Sequence, residues 1–409
     1  MRIRSIKELK DLKGKRALTR VDYNLSFVEG KPDFKDNLRI KASVETIKFL
    51  LEKGATVVLL AHLGRPDGWD KKLTLAPIAK YLSRLLKTAC PVRGSGSVAS
   101  NRVNFIADDL TKKDLNKKIK KGVNLLENIR FYDGECKNDR KFAKRLAELG
   151  DIYINEGFSV SHRADASVAG LQNFLPSYAG IYLEKEIANL SKLLRNNLRK
   201  NNRPFVALMG GAKISTKINL INNLLKSADN ILLGGALISN VLKYQGYDVG
   251  GTIIEKVPEK VIKNIVKSKK IIFPADVVVG ERNDVDTARL TQLYKDKKIC
   301  NKNEEILDIG PESMLKFSAY IKKAQTIVWN GPMGYFEKLA YGYGTFGLAR
   351  LIAARGKGRA FAVVGGGETI AALNMTKMEK YVDWVSTGGG AMLSFLAGER
   401  MPGLARIVK

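Results

Sequence analysis

His62 and His162 are the only histidines in this chain of 409 residues. Each stands within three positions of an arginine, in His62-Leu-Gly-Arg65 and in His162-Arg163. An imidazole can donate or accept one hydrogen bond at a fixed angle, and a guanidinium presents a planar fork of donors. The pairing suits a bound phosphate or carboxylate. Further residues of this kind follow other apolar runs: Asp22 and Asn24 after "ALTRV", Arg39 in "DNLRIKA" and Arg130 after "NLLENI". Singly, each reads as an ordinary surface side chain. Together they read as a basic basin for a small molecule carrying several negative charges.

A second constellation lies in residues 206–228, "VALMGGAKISTKINLINNLLKSA". A strand ends in Gly210-Gly211, and a helix is expected beyond it with Ile214, Ile218, Ile221 and Leu225 on the buried stripe. Lys213 and Lys217 would then stand four apart at the helix N-terminus, repelling each other and opposing the positive end of the dipole. That placement asks for an anion, and backbone amides with two lysines make a phosphate site. Further on, "VVGGGET" runs a strand into Gly365-Gly366-Gly367, with Glu368 and Thr369 behind, where a carboxylate could hold Mg²⁺ against phosphate oxygens. "VSTGGGAML" places Gly389 between two more glycines, and "VWNGPMGYFE" offers a turn at Pro332 with Asn330 and Glu337 available to sugar hydroxyls. Glycine turns at several strand ends of one half of the chain suggest a bound nucleotide.

Other chemistries find less support. Gly94-Ser-Gly96-Ser-Val-Ala99 and Gly342-Tyr-Gly344-Thr-Phe-Gly347 imitate the dinucleotide fingerprint of a nicotinamide-dependent dehydrogenase, but neither follows a clear strand. The second is expected only to open a helix. No Walker A loop occurs. The three cysteines, Cys90, Cys136 and Cys300, are scattered, so neither a disulfide framework nor a thiolate zinc site is expected. No long apolar run suggests a membrane span or a signal peptide, and a cytoplasmic protein is expected.

Lys plus Arg number 70 against 41 Asp plus Glu, a formal net charge of +29. Such an excess asks for an anionic partner or an unusual cell interior. The basic clusters "TKKDLNKKIKKG" and "EKVIKNIVKSKK" carry few aromatics to stack on bases, which favours solvated helix faces over a nucleic-acid surface.

The elements that must position these residues are short β-branched runs with helical segments between them. They predict an α/β protein of two doubly wound, parallel-sheet, Rossmann-like lobes joined by a hinge helix, with ligands at the carboxyl ends of the strands. The expected boundaries are 1–177 for the first lobe, with 397–409 folding back onto it, 178–200 for the hinge, and 201–396 for the second lobe. Within the hinge, Ile187, Leu190 and Leu194 mark an amphipathic face.

The ordered motifs "RVDYNL", "LRIKASVETI", "LLAHLGRPDG", "LLENIRF", "FSVSHRADAS", "GGAKISTKI", "WNGPMGYFE", "VVGGGET" and "VSTGGGAML" resemble phosphoglycerate kinases over nearly the whole chain. The resemblance implies a cytoplasmic, monomeric enzyme that passes a phosphoryl group between 1,3-bisphosphoglycerate and Mg-ADP, giving 3-phosphoglycerate and ATP. It implies a glycerate site at Asp22, Asn24, Arg39, His62, Arg65, Arg130 and Arg163. It implies a nucleotide site at Gly211, Ala212, Lys213, Lys217, Gly235, Asn330, Pro332, Glu337, Gly366, Gly367, Glu368 and Thr369, with Mg²⁺ on Glu368. Arg39, Lys213 and Lys217 would hold the transferring group with amides near Gly366 and Gly389, and closure at a hinge would expel water. Glu368 stands where the family usually has Asp, Ser26 and Glu45 where it usually has Pro, and Asp165 where it often has His; Asp165 brings a negative charge toward the basin. The alternative is a weakened kinase scaffold that binds nucleic acid or another polyanion.

Overall fold

The computed structural model describes residues 2–35, 38–89 and 102–408. They divide into two compact units, residues 1–188 with 400–409, and residues 189–399. The first glycine pattern, Gly94 to Ala99, and Cys90 lie outside the described residues.

In the first unit β1 (Arg16–Arg20), β2 (Thr56–Leu60), β3 (Asn104–Ile106), β4 (Val123–Leu126), β5 (Ile152–Asn155) and β6 (Ser177–Ala179) form one sheet in the order β3-β4-β2-β1-β5-β6. Every pairing is parallel. The strands are apolar without alternation because both faces are covered. Val57 and Leu59 of β2 pack into one core with Ile40, Ile47 and Leu50 of α1 (Leu38–Glu52) and Ile78 and Leu82 of α2 (Ala76–Ala89). Val58 and Leu60 point the other way, into a core with Phe142 and Leu146 of α3 (Arg140–Ala147). Residues 400–409 close onto this unit. Arg4 N donates to Ile407 O at 2.8 Å, and Asn155 Nδ2 donates to Gly403 O at 2.9 Å.

The expected hinge helix over 178–200 is shorter than its pattern suggested. β6 occupies 177–179, α4 spans Ile181–Ser191, and two short 3₁₀ turns follow, Arg195–Asn197 and Lys200–Asn202. Gly180 and the asparagine-rich "RNNLRKNN" favour turns over helix, which sets both ends. Leu193 rather than Leu194 completes the buried face with Ile187 and Leu190. The fully buried Glu156 carboxylate, at the end of β5, accepts the amides of Tyr182 (3.1 Å) and Leu183 (3.2 Å) in the first turn of α4.

In the second unit β7 (Phe205–Met209) leads into α5 (Ile218–Ser227) and β8 (Asn230–Leu233); β9 (Ile271–Ile272) follows. β13 (Thr326–Asn330), β14 (Phe361–Gly365) and β15 (Trp384–Ser386) complete a parallel sheet of order β9-β8-β7-β13-β14-β15. The winding reverses between β7 and β13, which is where doubly wound sheets bind ligands. The run "IIFPADVVV" is apolar enough to read as one strand. Pro274 interrupts it, so that β10 (Asp276–Glu281) instead pairs antiparallel with β11 (Asp284–Gln292) and β12 (Glu305–Ile309).

The glycines from Gly342 to Gly347 open helix α7 (Tyr343–Arg355), which follows α6 (Pro311–Lys323), and a 3₁₀ turn rather than a strand precedes them. A Cβ at Gly344 would come within 2.5 Å of Ile309 and 2.6 Å of the Asp308 carboxylate, so close packing explains this glycine.

Candidate active site

The residues expected to form a basin follow the carboxyl ends of β1, β2, β4 and β5. Hydrogen bonds across these loops fix them. Asn24 Oδ1 accepts Gly64 N at 2.8 Å, Arg39 Nη1 donates to Asn24 O at 2.9 Å, and Arg130 Nη1 donates to Gly64 O at 3.0 Å. Asp22 is buried and pairs with Arg39 at 3.0 Å, while Ser159 Oγ donates to it at 2.5 Å. The Asp22 carboxylate thus helps to fix the Arg39 guanidinium. Arg65 is exposed on the same loop as His62.

His62 is buried, and Arg20 Nη2 lies 3.0 Å from its Nδ1. A guanidinium can only donate, so Nδ1 accepts and a neutral ring carries its proton on Nε2. Burial first, and then the charges of Arg20, Arg130, Arg163 and Arg39, hold the imidazole well below its ordinary pKa. His62 is thus a fixed neutral donor among cations. Arg20, fully buried as the last residue of β1, was missed in the sequence reading. Its Nε donates to Ser167 Oγ at 2.9 Å, and Ser167 Oγ donates to the buried Glu135 at 2.5 Å. An arginine at the buried carboxyl end of a strand is the signal that could have found it.

Asp165 is buried, as the basin's one departure in charge. Arg163 Nε donates to it at 2.9 Å, and Arg130 Nη2 lies 3.8 Å away. Its charge is offset by two of the arginines that the anion would use.

In the second unit the expected pair of lysines is split. The chain after Gly211 passes through a 3₁₀ turn, Ser215–Lys217, and α5 starts only at Ile218. Leu220, Ile221 and Leu224 form the helix's buried face, in place of the stripe through Ile218 and Leu225. Lys213 is exposed, whereas Lys217 is buried. The Lys217 ammonium donates to Gly210 O at 2.5 Å and to Asn330 O at 3.3 Å, the carboxyl ends of β7 and β13, at the point where the winding reverses. Burial lowers its pKa to about 8, and the Glu368 carboxylate opposes that shift.

Around this ammonium the wall is backbone. A Cβ at Gly331, where φ is +92°, would lie 2.1 Å from Gly210 O and 2.4 Å from Lys217 Nζ. At Gly235, with φ +63°, it would meet Gly211 N at 2.7 Å. Gly211, Ala212, Gly235, Pro332, Glu337 and Glu368 line one cleft of about 180 Å³, together with Arg282, Ile306, Leu307 and Tyr335, none of which the sequence reading singled out. Arg282 stacks 4.7 Å from the Tyr335 ring centroid and grips Glu305 through both ends of its fork. "NGPMGYFE" could have offered the tyrosine; the arginine sits in a hairpin with no motif.

Two expected cleft residues are turned inward instead. Asn330 Nδ2 donates to Gly365 O at 2.8 Å, and Thr369 Oγ1 accepts Gly331 N at 2.7 Å. Both are buried, and these bonds hold the glycine turns in shape. Gly366, with φ +101°, precedes α8 (Gly367–Met375), whose first turn carries the exposed Glu368. Gly389, with φ +44°, caps α9 (Gly390–Leu396), a helix of seven residues. Among the described residues no group of three or more His, Cys, Asp or Glu could hold a metal, so a metal there would rest on Glu368 and on its ligand's own oxygens.

Two parallel sheets, with cationic or glycine-built sites at the strand ends, define an α/β protein that receives anions at its strand termini. The profile of the phosphoglycerate kinase family matches residues 6–399. A phosphoglycerate kinase of Dictyoglomus turgidum is 40% identical over 402 residues, 97% of this chain and 96% of its own length. One from Clostridium botulinum is 37% identical over 411 residues, 99% and 98%. Among solved structures, the phosphoglycerate kinase of Coxiella burnetii matches with a TM-score of 0.81 at 34% identity, covering all of both chains. That of Pyrococcus horikoshii matches with 0.82 at 29% identity, covering 99% and 98%. The chain belongs to the phosphoglycerate kinase family and is a phosphotransferase whose acceptor is a carboxyl group. No helix among the described residues is long and apolar enough to cross a membrane.

Proposed function

We propose that the chain moves a phosphoryl group between 1,3-bisphosphoglycerate and ADP, giving 3-phosphoglycerate and ATP, with the glycerate in the basin of the first unit and the nucleotide in the cleft of the second. The observation that carries this reading is the buried Lys217 ammonium at the ends of β7 and β13, next to a cleft walled by glycine backbone.

In the direction that consumes ATP the acceptor is a carboxylate, ionised at neutral pH, so no general base is required. The work left is alignment and neutralisation of charge. Arg39, Arg130 and Arg163 bind the glycerate's anionic groups, and His62 donates through Nε2 without adding charge. Lys217, with amides at the starts of α8 and α9, holds the transferring group. Lys213, exposed, stays in the proposal as a mobile cation that reaches the phosphates. Mg²⁺, held by Glu368 and the nucleotide's phosphates, would supply charge neutralisation. Glu368 fits that part because its carboxylate lines the cleft in the first turn of α8, where no other carboxylate competes except Glu337. Hinge closure at α4, a monomeric state and a cytoplasmic setting belong to the same proposal.

The polyanion-binding alternative is not favoured. Lys217 is buried at the cost of its hydration, in a place where it could not hold a surface polymer. The test is ADP formation from Mg-ATP that depends on 3-phosphoglycerate, coupled to removal of the acyl phosphate. Turnover that collapses in Lys217→Ala supports the reading; no turnover with Mg²⁺ or Mn²⁺ overturns it.

A further inference from the structure

A cavity of about 400 Å³ opens in the first unit, lined by Asn138, Arg140, Ala143, Gly170, Asn173, Phe174 and Arg406. It contains none of the residues assigned to the basin. Its lining has two guanidinium groups and no carboxylate, and among the described residues neither arginine forms a salt bridge. Two like charges facing one hollow repel each other, and an anion between them removes that repulsion.

Three separate stretches of chain build the wall. Arg140 is the first residue of α3 and stands 5.9 Å from the Phe174 ring centroid, which restrains the guanidinium before a ligand arrives. The C-terminal segment carries Arg406, and Gln172 fastens it, accepting Arg406 N at 3.0 Å and donating to Pro402 O at 3.0 Å. Asn138 adopts a left-handed backbone with φ +50°, and its side chain closes on Gly170: a Cβ there would meet Asn138 Oδ1 at 2.7 Å and Ala143 at 2.8 Å. Glycine at 170 is what lets Asn138 and Ala143 pack this closely. Asn138 and Asn173 add carboxamides that can donate to the same guest.

We infer that this cavity is a second anion site, which takes a small molecule with two or more phosphate or carboxylate groups. Two guanidinium forks match such groups in a bidentate way. A single face of Phe174 and the absence of a deep apolar slot argue against a nucleoside.

The test uses the full chain with 3-phosphoglycerate and ADP at saturating concentration and EDTA present, so that basin and cleft are occupied. Inorganic pyrophosphate and, separately, citrate are titrated calorimetrically. The expected result is one further binding event for at least one of them, weakened at least tenfold in Arg140→Ser/Arg406→Ser, with the KM for 3-phosphoglycerate unchanged. Pyrophosphate alone would assign the site to phosphates, citrate alone to carboxylates. Both arginines are exposed, so the variant should keep its fold; Arg406→Lys, which keeps the charge but loses the fork, should fall between. Absence of any further event with either anion, or equal binding in the double variant, overturns the inference. Kinase activity of the same protein preparations is read separately, with Mg-ATP and 3-phosphoglycerate and no EDTA, so loss of this site and failure of the kinase reading are distinguishable.

Discussion

The two units receive anions by opposite means. The basin of the first is made of side chains: guanidinium groups with one neutral imidazole, held by a buried line through Arg20, Ser167 and Glu135. The cleft of the second is made of main chain, where missing side chains at Gly211, Gly235 and Gly331 let backbone come close, and a single buried ammonium supplies the charge. A side-chain site can be tuned group by group, and each loss should cost part of the affinity. A backbone site is less graded, because one added carbon displaces the turn itself.

The sharpest way to break this comparison is at Lys217. Lys217→Ala should lower kcat by about a thousandfold or more, since it removes the buried ammonium that the proposed function places beside the transferring group. Exposed Lys213→Ala should cost about fivefold or less. An equal loss in both would show that burial is not what sets Lys217 apart. Next comes Gly331→Ala, whose Cβ would overlap both Gly210 O and the ammonium. It should lose about 3 kcal/mol of stability together with ADP affinity, as read by thermal denaturation and calorimetry. In the other unit Arg39→Lys keeps the charge and loses the fork, and should raise the KM for 3-phosphoglycerate about tenfold with stability unchanged.

pH separates the units as well. Lys217 loses its proton as pH rises through about 8. The value of kcat/KM for nucleotide should therefore fall above that pH, and Lys217→Arg should remove the fall while lowering the rate. His62, already neutral, should give no step near its ordinary pKa. Nitrogen chemical shifts that report protonation of His62 between pH 6 and 7 would contradict its bond with Arg20. The smallest effect concerns Asp165. Asp165→Asn releases Arg163 and Arg130 toward the ligand, and should lower the KM for 3-phosphoglycerate by about two- to fivefold.

Much of this was legible in the sequence. Uninterrupted apolar runs such as "TVVLL" and "FVALM" announced strands covered on both faces, and the glycine clusters fell at strand ends because only there does backbone need to approach a ligand. What escaped was whatever depends on a partner far along the chain. Nothing in "ALTRVD" says that Arg20 meets His62, 42 positions away. The periodicity after Gly211 suggested a helix one turn too early, because Lys217 turns inward to two strand-end carbonyls rather than outward to solvent. Asn330 was read as a ligand contact from its type and Thr369 from the family resemblance; that each also braces a glycine turn depends on partners 35 and 38 positions away. Arg282 and Tyr335 met only through the fold of an antiparallel hairpin that Pro274 set apart.

The closing segment has a consequence for how the molecule is made. Residues 400–409 complete the first unit, with Gly403 bonded to Asn155 and Ser161, yet the ribosome delivers them after all of 189–399. During synthesis the earlier-made half must wait with Asn155 Nδ2 and Ser161 O unmatched by Gly403, while the later-made half has all of its own strands and can settle first. For this chain, order of birth and order of completion are reversed.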